Sequence, residues 1–233
     1  MYQTTQYQST QCFEATRSIE HLLQESRRER IFGKVMDELA QDEVWQAFER
    51  KVSVKSRDTV EHCLRLAGYM YRASEIMGLS EEDAKEYVKG ACYHDLGKAF
   101  VMDAVDYNGT LNKEQFEQIR QHPMLGAVCV SLGENSDLVA KMAGAHHKYG
   151  MDRSCLTDRE MYVVQMLELF DSYDAMTKRK YNSASTDIRK RAKTPDEAVM
   201  ELRGMAKKGE YLLDVFYIFY KSVEHELEGR GIA

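Results

Sequence analysis

The sequence contains little proline and no paired-cysteine motif. Only two of its 233 residues are proline, and because proline is the strongest helix breaker, this scarcity favours a helical chain. The five cysteines are odd in number, and no two of them are spaced as CxxC, which argues against both a disulfide framework and a zinc finger. We therefore expect reduced thiols in a cytoplasmic protein.

Basic charge and long apolar segments are also scarce. The formal net charge is −6, whereas proteins that bind nucleic-acid polymers normally carry a basic excess. The polar beginning of the chain does not predict a signal peptide, and no apolar run approaches the ~18 residues of a membrane helix. We therefore expect neither a nucleic-acid polymer nor a membrane as a partner.

Most of the chain shows apolar residues at helical spacing, and no stretch shows sustained strand-like alternation. Helix-start signals occur at Ser80, Asn112, Thr157 and most clearly at Thr194. These patterns predict an all-α protein.

Two regions are expected along the chain. Residues 1–52 form an N-terminal helical extension, which Gly33 and the polar cluster 41–43 divide into two or three helices, and residues 53–233 form the main domain. The extension packs either on the main domain or on a second copy of the chain, so a homodimer is one possibility.

The stretch around His94 and Asp95 carries the first chemical signal. Imidazole and carboxylate together suit borderline divalent metals. Adjacent side chains diverge on a helix, so both reach one ion only at a helix end or bend, which Gly97 is expected to provide. Lys98 would then stand beside the ion as a cation for a phosphate. An isolated His-Asp pair is more often an ordinary polar helix end.

Further ligands in the central helices favour the metal interpretation. Each of these helices contributes one or two residues of a suitable type, and metal sites in helical bundles are built from such facing helices. These further residues are His62, His122, His146, His147 and Asp171. We expect no such role for His21 and His225.

The order of these residues resembles the HD superfamily of metal-dependent phosphohydrolases, whose signature is His…His-Asp…Asp. Within it, the sequence is similar to the HD-GYP branch, which cleaves cyclic dinucleotides. The local matches lie at residues 58–65, 94–98, 109–123, 146–147 and 171–181. The resemblance covers residues 54–222 and implies the HD-domain helical bundle.

The resemblance also implies a site with two divalent metal ions. It assigns His62, His94, Asp95 and Asp171 to the first ion, with Asp95 extending to a second ion held by three further histidines. Those three are His122, His146 and His147. The family suggests iron or manganese, and the donor set also allows zinc or nickel.

The catalytic and substrate-binding residues follow from the same resemblance. It makes Asp95 and Lys98 catalytic and places Lys98 and Arg179 against the substrate. Asp58 lies four residues before His62 and is a candidate for supporting a third metal, a question that the sequence leaves open.

One departure from the branch concerns the loop after the paired histidines. Lys148 stands where the branch has a glutamate, and residues 149–154 replace the Gly-Tyr-Pro loop. We expect metal binding to be intact and substrate choice to be altered. Arg153 is expected to contact a phosphate, and Lys148 either does the same or is simply solvated.

Three functions are therefore compatible with the sequence. The leading one is a dinuclear phosphodiesterase acting on a cyclic dinucleotide, either cyclic di-GMP or a related one. The second is a phosphohydrolase acting on mononucleotides or other small phosphate esters. The third is a non-catalytic nucleotide-binding signalling module, against which the presence of every expected metal ligand argues.

Overall fold

The computed structural model describes residues 25–55, 57–101, 112–133, 136–178 and 192–227. In these ranges the chain forms α-helices and short 3-10 segments without any strand, which confirms the all-α prediction. The α-helices are α1 (25–41), α2 (Glu43–Lys55), α3 (Arg57–Ile76), α4 (Glu81–Tyr93), α5 (Lys113–Ile119), α6 (His122–Leu132), α7 (Asp137–Ala145), α8 (Asp158–Lys178), α9 (Pro195–Lys207) and α10 (Leu213–Val223). The 3-10 segments are Leu96–Phe100, Arg153–Cys155 and Glu224–Glu226.

Local capping interactions set most of the predicted helix starts. Asn112 and Thr194 form reciprocal capping boxes at α5 and α9, and the Ser80 side chain accepts a hydrogen bond from the amide of Asp83 at α4. Gly78, with a φ of 64°, follows the end of α3, because glycine adopts this left-handed conformation without steric cost. These boundaries depend on a few neighbouring residues and were therefore predictable.

Two predicted helix boundaries were wrong. Helix α1 continues through Gly33, since burial of Ile31 and Val35 on either side of it offsets the ~1 kcal/mol that glycine costs in a helix. At the other end of the chain, α10 stops at Val223 rather than near residue 228, and a 3-10 segment follows it.

Helices α1 and α2 pack against the main domain. Their buried side chains belong to the same apolar core as those of α3 and α4. The Trp45 and Tyr93 rings meet edge to face with centroids 5.7 Å apart, and the Tyr93 hydroxyl donates a hydrogen bond to Asp42. The division of the chain at residue 52 remains a prediction.

None of the described helices combines the length and the apolar character needed to cross a membrane.

Candidate metal centre

Five histidines and two aspartates converge between the helices. They come from the middle of α3, the ends of α4 and α7, the first residue of α6 and the middle of α8. We call His62, His94 and Asp171 the first group and His122, His146 and His147 the second group; within each, the potential ligand atoms lie within 4.8 Å of one another. Asp95 is the seventh residue. The structure thus brings together all seven residues that the sequence indicates as ligands.

Asp95 lies between the two groups and is 1% exposed. Its Oδ2 atom is 3.4 Å from Nε2 of His94 and 3.7 Å from Nε2 of His62. Its Oδ1 atom is 3.3 Å from Nε2 of His122 and 3.9 Å from Nε2 of His146. The two oxygens of one carboxylate therefore face different histidine groups.

Asp171 has a similar position, which the sequence did not indicate. Its Oδ1 atom is 3.2 Å from Nε2 of His62, and its Oδ2 atom is 3.9 Å from Nε2 of His147. Sequence reasoning assigned Asp171 to the first ion alone. Its proximity to the second group results from the packing of α7 against α8, for which no local signal exists.

Three of the histidines are oriented by main-chain carbonyls at helix ends. Their Nδ1 atoms lie close to the carbonyl oxygen three residues earlier: His94 to Ala91 at 2.7 Å, His122 to Ile119 at 2.6 Å and His146 to Ala143 at 2.8 Å. The last carbonyls of a helix lack helical partners. Since a carbonyl oxygen can only accept, Nδ1 must carry the hydrogen, and Nε2 is left as a potential ligand atom facing the cluster.

His62 is oriented by a side chain instead. Its Nδ1 donates to Oδ2 of Asp174 at 2.8 Å, and both oxygens of Asp174 accept hydrogen bonds from Arg65 at 2.8 Å. Burial lowers the pKa of His62, but hydrogen bonds to Asp171 and Asp174 outweigh it and raise this pKa to about 9. Arg65 and Asp174 thus hold the ring of His62 in its orientation towards the cluster.

Two donors of the second group, His146 and His147, are uncharged. Burial, with the neighbouring histidines, lowers the pKa of His146 well below its ordinary value. Burial also lowers the pKa of His147 to about 4. Both rings are therefore neutral at pH 7, and the neutral imidazole is the form that binds metals.

The Nε2 atom of His94 shows that the cluster suits a cation. This atom is fully buried and has no hydrogen-bond partner among the described residues. A buried polar atom without a partner is energetically costly. Because its lone pair faces other imidazole and carboxylate donors, a divalent transition metal fits the site, and this donor set is one that iron, manganese, zinc and nickel accept.

Cys63 lies beside the cluster. It is buried, and its Sγ atom is within 4.8 Å of ligand atoms of His94 and Asp95. Burial raises the pKa of this thiol well above its ordinary value, and the charge of Asp95 adds to the effect. The thiol is therefore protonated at pH 7 and is a poor ligand in that form.

Lys98 occupies the edge of the cavity that opens onto the cluster, a space of about 340 Å³. Its ammonium group contacts Oδ2 of Asp95. Burial opposes the charge of Lys98, but Asp95 and Asp171 outweigh it and raise the pKa of this lysine. Lys98 is therefore a cation at the position that the sequence predicted.

Gly97 has a different role from the expected one. Helix α4 already ends at Tyr93, before the His-Asp pair. A Cβ atom on Gly97 would lie 1.9 Å from the carbonyl oxygen of His122 and 2.6 Å from the amide nitrogen of Gly126. The missing side chain lets the 3-10 segment pack directly on α6, which sets Asp95 beside His122.

Two loop cations lie away from the cavity over the cluster: Arg153, which was expected to contact a phosphate, and Lys148, which was expected either to do the same or to be solvated. Lys148 is half-exposed, and its ammonium group is 3.2 Å from Glu210. The guanidinium group of Arg153 binds the carbonyl oxygen of Ala145 and is 2.8 Å from Glu168. Neither residue lines the cavity over the cluster. The third predicted contact, Arg179, lies outside the described residues.

Tyr149 is a cavity residue to which the sequence analysis gave no role. Its ring stacks on that of His147 with centroids 4.8 Å apart and an angle of 24°, and the Arg120 guanidinium lies 5.2 Å from the centre of the Tyr149 ring. An aromatic residue two positions after a paired histidine was the available signal. Asp58 also lines the cavity, and its support of a third metal remains a prediction.

Comparisons with known proteins agree with this geometry. A family model described as HD domain matches residues 59–176. The chain is 27% identical over 144 residues to 3'3'-cGAMP-specific phosphodiesterase 3 of Vibrio cholerae serotype O1 (strain ATCC 39315 / El Tor Inaba N16961), a match that covers 59% of this chain and 31% of the relative. It is 26% identical over 146 residues to 3'3'-cGAMP-specific phosphodiesterase 2 of the same organism, covering 58% of this chain and 28% of that relative.

The matched part of the chain spans less than a third of the length of either curated relative. The family model, in contrast, extends from α3 to α8 and includes all seven residues of the cluster. It also covers half of the chain. This chain therefore belongs to the HD domain family.

Proposed function

We propose that this chain is a phosphodiesterase that hydrolyses a cyclic dinucleotide with the help of two divalent transition-metal ions. The observation that carries the proposal is the position of Asp95, whose two oxygens face two separate groups of histidines. HD domain membership supports metal-dependent chemistry. The two curated relatives, both named 3'3'-cGAMP-specific phosphodiesterases, support a cyclic dinucleotide as the substrate.

Each group of ligands would hold one ion. The first group and Oδ2 of Asp95 would hold the first ion, and the second group and Oδ1 of Asp95 would hold the second. Iron or manganese is proposed as the native metal, with zinc or nickel as alternatives that the same donors accept. Two ions bound there would lower the pKa of a water molecule and neutralise charge on the phosphodiester oxygens.

The chain's own residues orient the substrate and the ligands. Lys98 is charged and stands at the cavity edge beside Asp95, where its ammonium group can contact a phosphate oxygen. Arg65 is occupied by two hydrogen bonds to Asp174 and so serves to position His62. Tyr149 provides an aromatic wall next to His147, against which a ribose or a base can pack.

A substrate panel tests the proposal. The protein is purified anaerobically and loaded with Mn²⁺ or Fe²⁺, and then assayed on 3'3'-cGAMP, cyclic di-GMP, cyclic di-AMP and a set of mononucleotides. We expect kcat/KM for the best cyclic dinucleotide to exceed that for every mononucleotide by at least about 100-fold, with a linear dinucleotide as the first product.

Two results would favour the other functions. Preferential hydrolysis of mononucleotides would indicate the wider phosphohydrolase activity of the family. Stoichiometric binding of a cyclic dinucleotide without turnover by the metal-loaded protein would indicate a signalling module. A chelator-treated sample serves as the control, since it should lose activity and regain it when metal is restored.

A further inference from the structure

A second cavity adjoins the one over the metal centre. It has a volume of about 550 Å³, and Arg65 and Lys178 line both cavities. We call this second cavity the distal groove and define it by the residues that line it and not the first cavity: Arg28, Glu61, Leu64, Gly68, Tyr69, Arg72, His225 and Glu226. The groove therefore adjoins the site at which hydrolysis is proposed.

Helix α3 leads from one cavity into the other. His62 and Arg65 line the first cavity, and Gly68 and Arg72 line the distal groove. Residues spaced three or four apart share a helix face. With a rise of 1.5 Å per residue, Gly68 lies about 9 Å and Arg72 about 15 Å beyond His62 along the helix axis. A ligand that lies along this face from the metal centre enters the distal groove.

The distal groove carries more positive than negative side chains, because four cations and the two carboxylates of Glu61 and Glu226 line it. Within the described ranges, neither Arg28 nor Arg72 forms an ion pair: Arg72 contacts the ring of His225, with 2.6 Å between its Nη1 atom and Nε2 of the ring, and Arg28 lies 5.5 Å from the centre of the Phe32 ring. Lys178, in contrast, is 3.5 Å from Glu226. Two such guanidinium groups beside one cavity, on a chain of net charge −6, favour an anionic ligand.

Gly68 faces open space in the groove. A Cβ atom added there would have no other atom within 4 Å, although glycine inside a helix is less stable than alanine. The wall beside it is firmly held, because Tyr69 is buried and its hydroxyl donates to Glu226 at 2.8 Å. The groove is therefore a preformed space with a rigid wall and two available cations.

We propose that the distal groove binds the second phosphodiester of a cyclic dinucleotide, with its nucleoside, while the first phosphodiester lies at the metal centre. This inference rests on the proposed function. A cyclic dinucleotide contains two anionic phosphodiester groups, so placing one at the metals leaves a second to be accommodated. A mononucleotide has no such second half, so the groove would give the enzyme a preference for dinucleotides.

The substitution Gly68→Glu tests the inference by filling the groove. The new carboxylate would repel a phosphate and would lie one helical turn from Arg72, for which it competes. We expect KM for 3'3'-cGAMP to rise at least about tenfold with kcat within about twofold of wild type. Hydrolysis of bis(4-nitrophenyl) phosphate, a small diester that needs only the metal cavity, should stay within about twofold.

The chain provides matched controls. Gly204 lies in α9, also has no atom within 4 Å of an added Cβ, and lines neither cavity. Gly204→Glu therefore introduces the same charge into a helix without affecting the groove, and it should leave KM for both substrates unchanged. Gly204→Ala is the corresponding control for the loss of a helical glycine, and it should also leave KM for both substrates unchanged.

A second variant tests the charge without adding bulk. Arg72→Gln should raise KM for 3'3'-cGAMP by about fivefold or more and leave the small diester unaffected. The inference is overturned if Gly68→Glu and Arg72→Gln both hydrolyse 3'3'-cGAMP with wild-type KM, or if they impair both substrates equally. A metal-loaded wild-type protein that cleaves the small diester but no cyclic dinucleotide would instead overturn the proposed function itself.

Discussion

The helix-end histidines and the mid-helix His62 are oriented towards the same cluster by different kinds of hydrogen-bond partner. His94, His122 and His146 each donate Nδ1 to a carbonyl oxygen only three residues earlier. His62 donates to Asp174, which is 112 residues away in the sequence. The helix-end ligands are thus oriented by their own local backbone, whereas His62 depends on the packing of α3 against α8.

Asp95→Asn should have the largest effect on metal content and activity, because Asp95 faces both groups of histidines. Loss of its negative charge removes the carboxylate shared by the two groups, and the amide nitrogen cannot act as a ligand. We expect metal content to fall well below two ions per chain and kcat/KM to fall at least about 1,000-fold. Elemental analysis and the cyclic-dinucleotide assay measure the two effects.

The exposed Asp137 provides a matched control for this substitution. Its side chain is exposed at the start of α7 and pairs with Lys141, whereas Asp95 is buried in the cluster. Asp137→Asn should therefore keep wild-type metal content and activity. An Asp95→Asn protein that retained two metals and full turnover would show that Asp95 does not join the two groups.

Asp174→Asn should affect only the orientation of His62 and the metal ion that it would bind. The neutral amide holds His62 less firmly and removes the carboxylate to which Arg65 donates two hydrogen bonds. Substitution of residues that orient a ligand typically weakens metal affinity by about 10- to 100-fold. A competition titration with a coloured chelator should show one weakened ion and one unchanged ion. Equal weakening of both ions would mean that the orientation of His62 is not independent of the orientation of the helix-end histidines.

The same contrast explains what the sequence could predict. Capping residues such as Asn112 and Thr194 act on amides three positions ahead, so helix starts could be read from neighbouring residues. The orientation of the helix-end ligands likewise depends on residues only three positions away. The expectation that Gly33 ends a helix failed because burial of Ile31 and Val35, a tertiary effect, outweighs local preference.

The positions of the predicted substrate contacts could not be read from the sequence for the same reason, and neither Lys148 nor Arg153 lines the cavity over the cluster. The charged groups of Lys148 and Arg153 are directed by Glu210 and Glu168, which lie 62 and 15 residues further along the chain. Neither carboxylate is identifiable from the loop sequence itself. The dual position of Asp171 likewise depends on how α8 packs beside the end of α7.

Gly97→Ala should displace the helix-end ligands, His122 in particular. The added Cβ would meet the carbonyl oxygen of His122 at 1.9 Å, so the 3-10 segment and α6 must separate. We expect a loss of about 1–3 kcal/mol in the free energy of unfolding and weaker metal binding by the second group. Gly204→Ala, made in open space, should instead be neutral or slightly stabilising. Denaturant unfolding of both variants compares the two effects, and equal stability of the two would refute the close-approach role.

Lys148→Glu should have the smallest effect. Lys148 is half-exposed and pairs with Glu210 on the surface, and exposed ion pairs contribute little. We expect metal content and KM for the cyclic dinucleotide to stay within about twofold of wild type. A tenfold increase in KM would restore the idea that this lysine contacts the substrate.

The metal content of the wild-type protein tests the central claim most directly. The cluster contains seven potential ligands, which is more than a single ion of the proposed kind requires. Elemental analysis of protein that has been purified anaerobically and reconstituted with Mn²⁺ or Fe²⁺ should give close to two ions per chain. One ion or fewer per chain after full reconstitution would contradict the dinuclear centre.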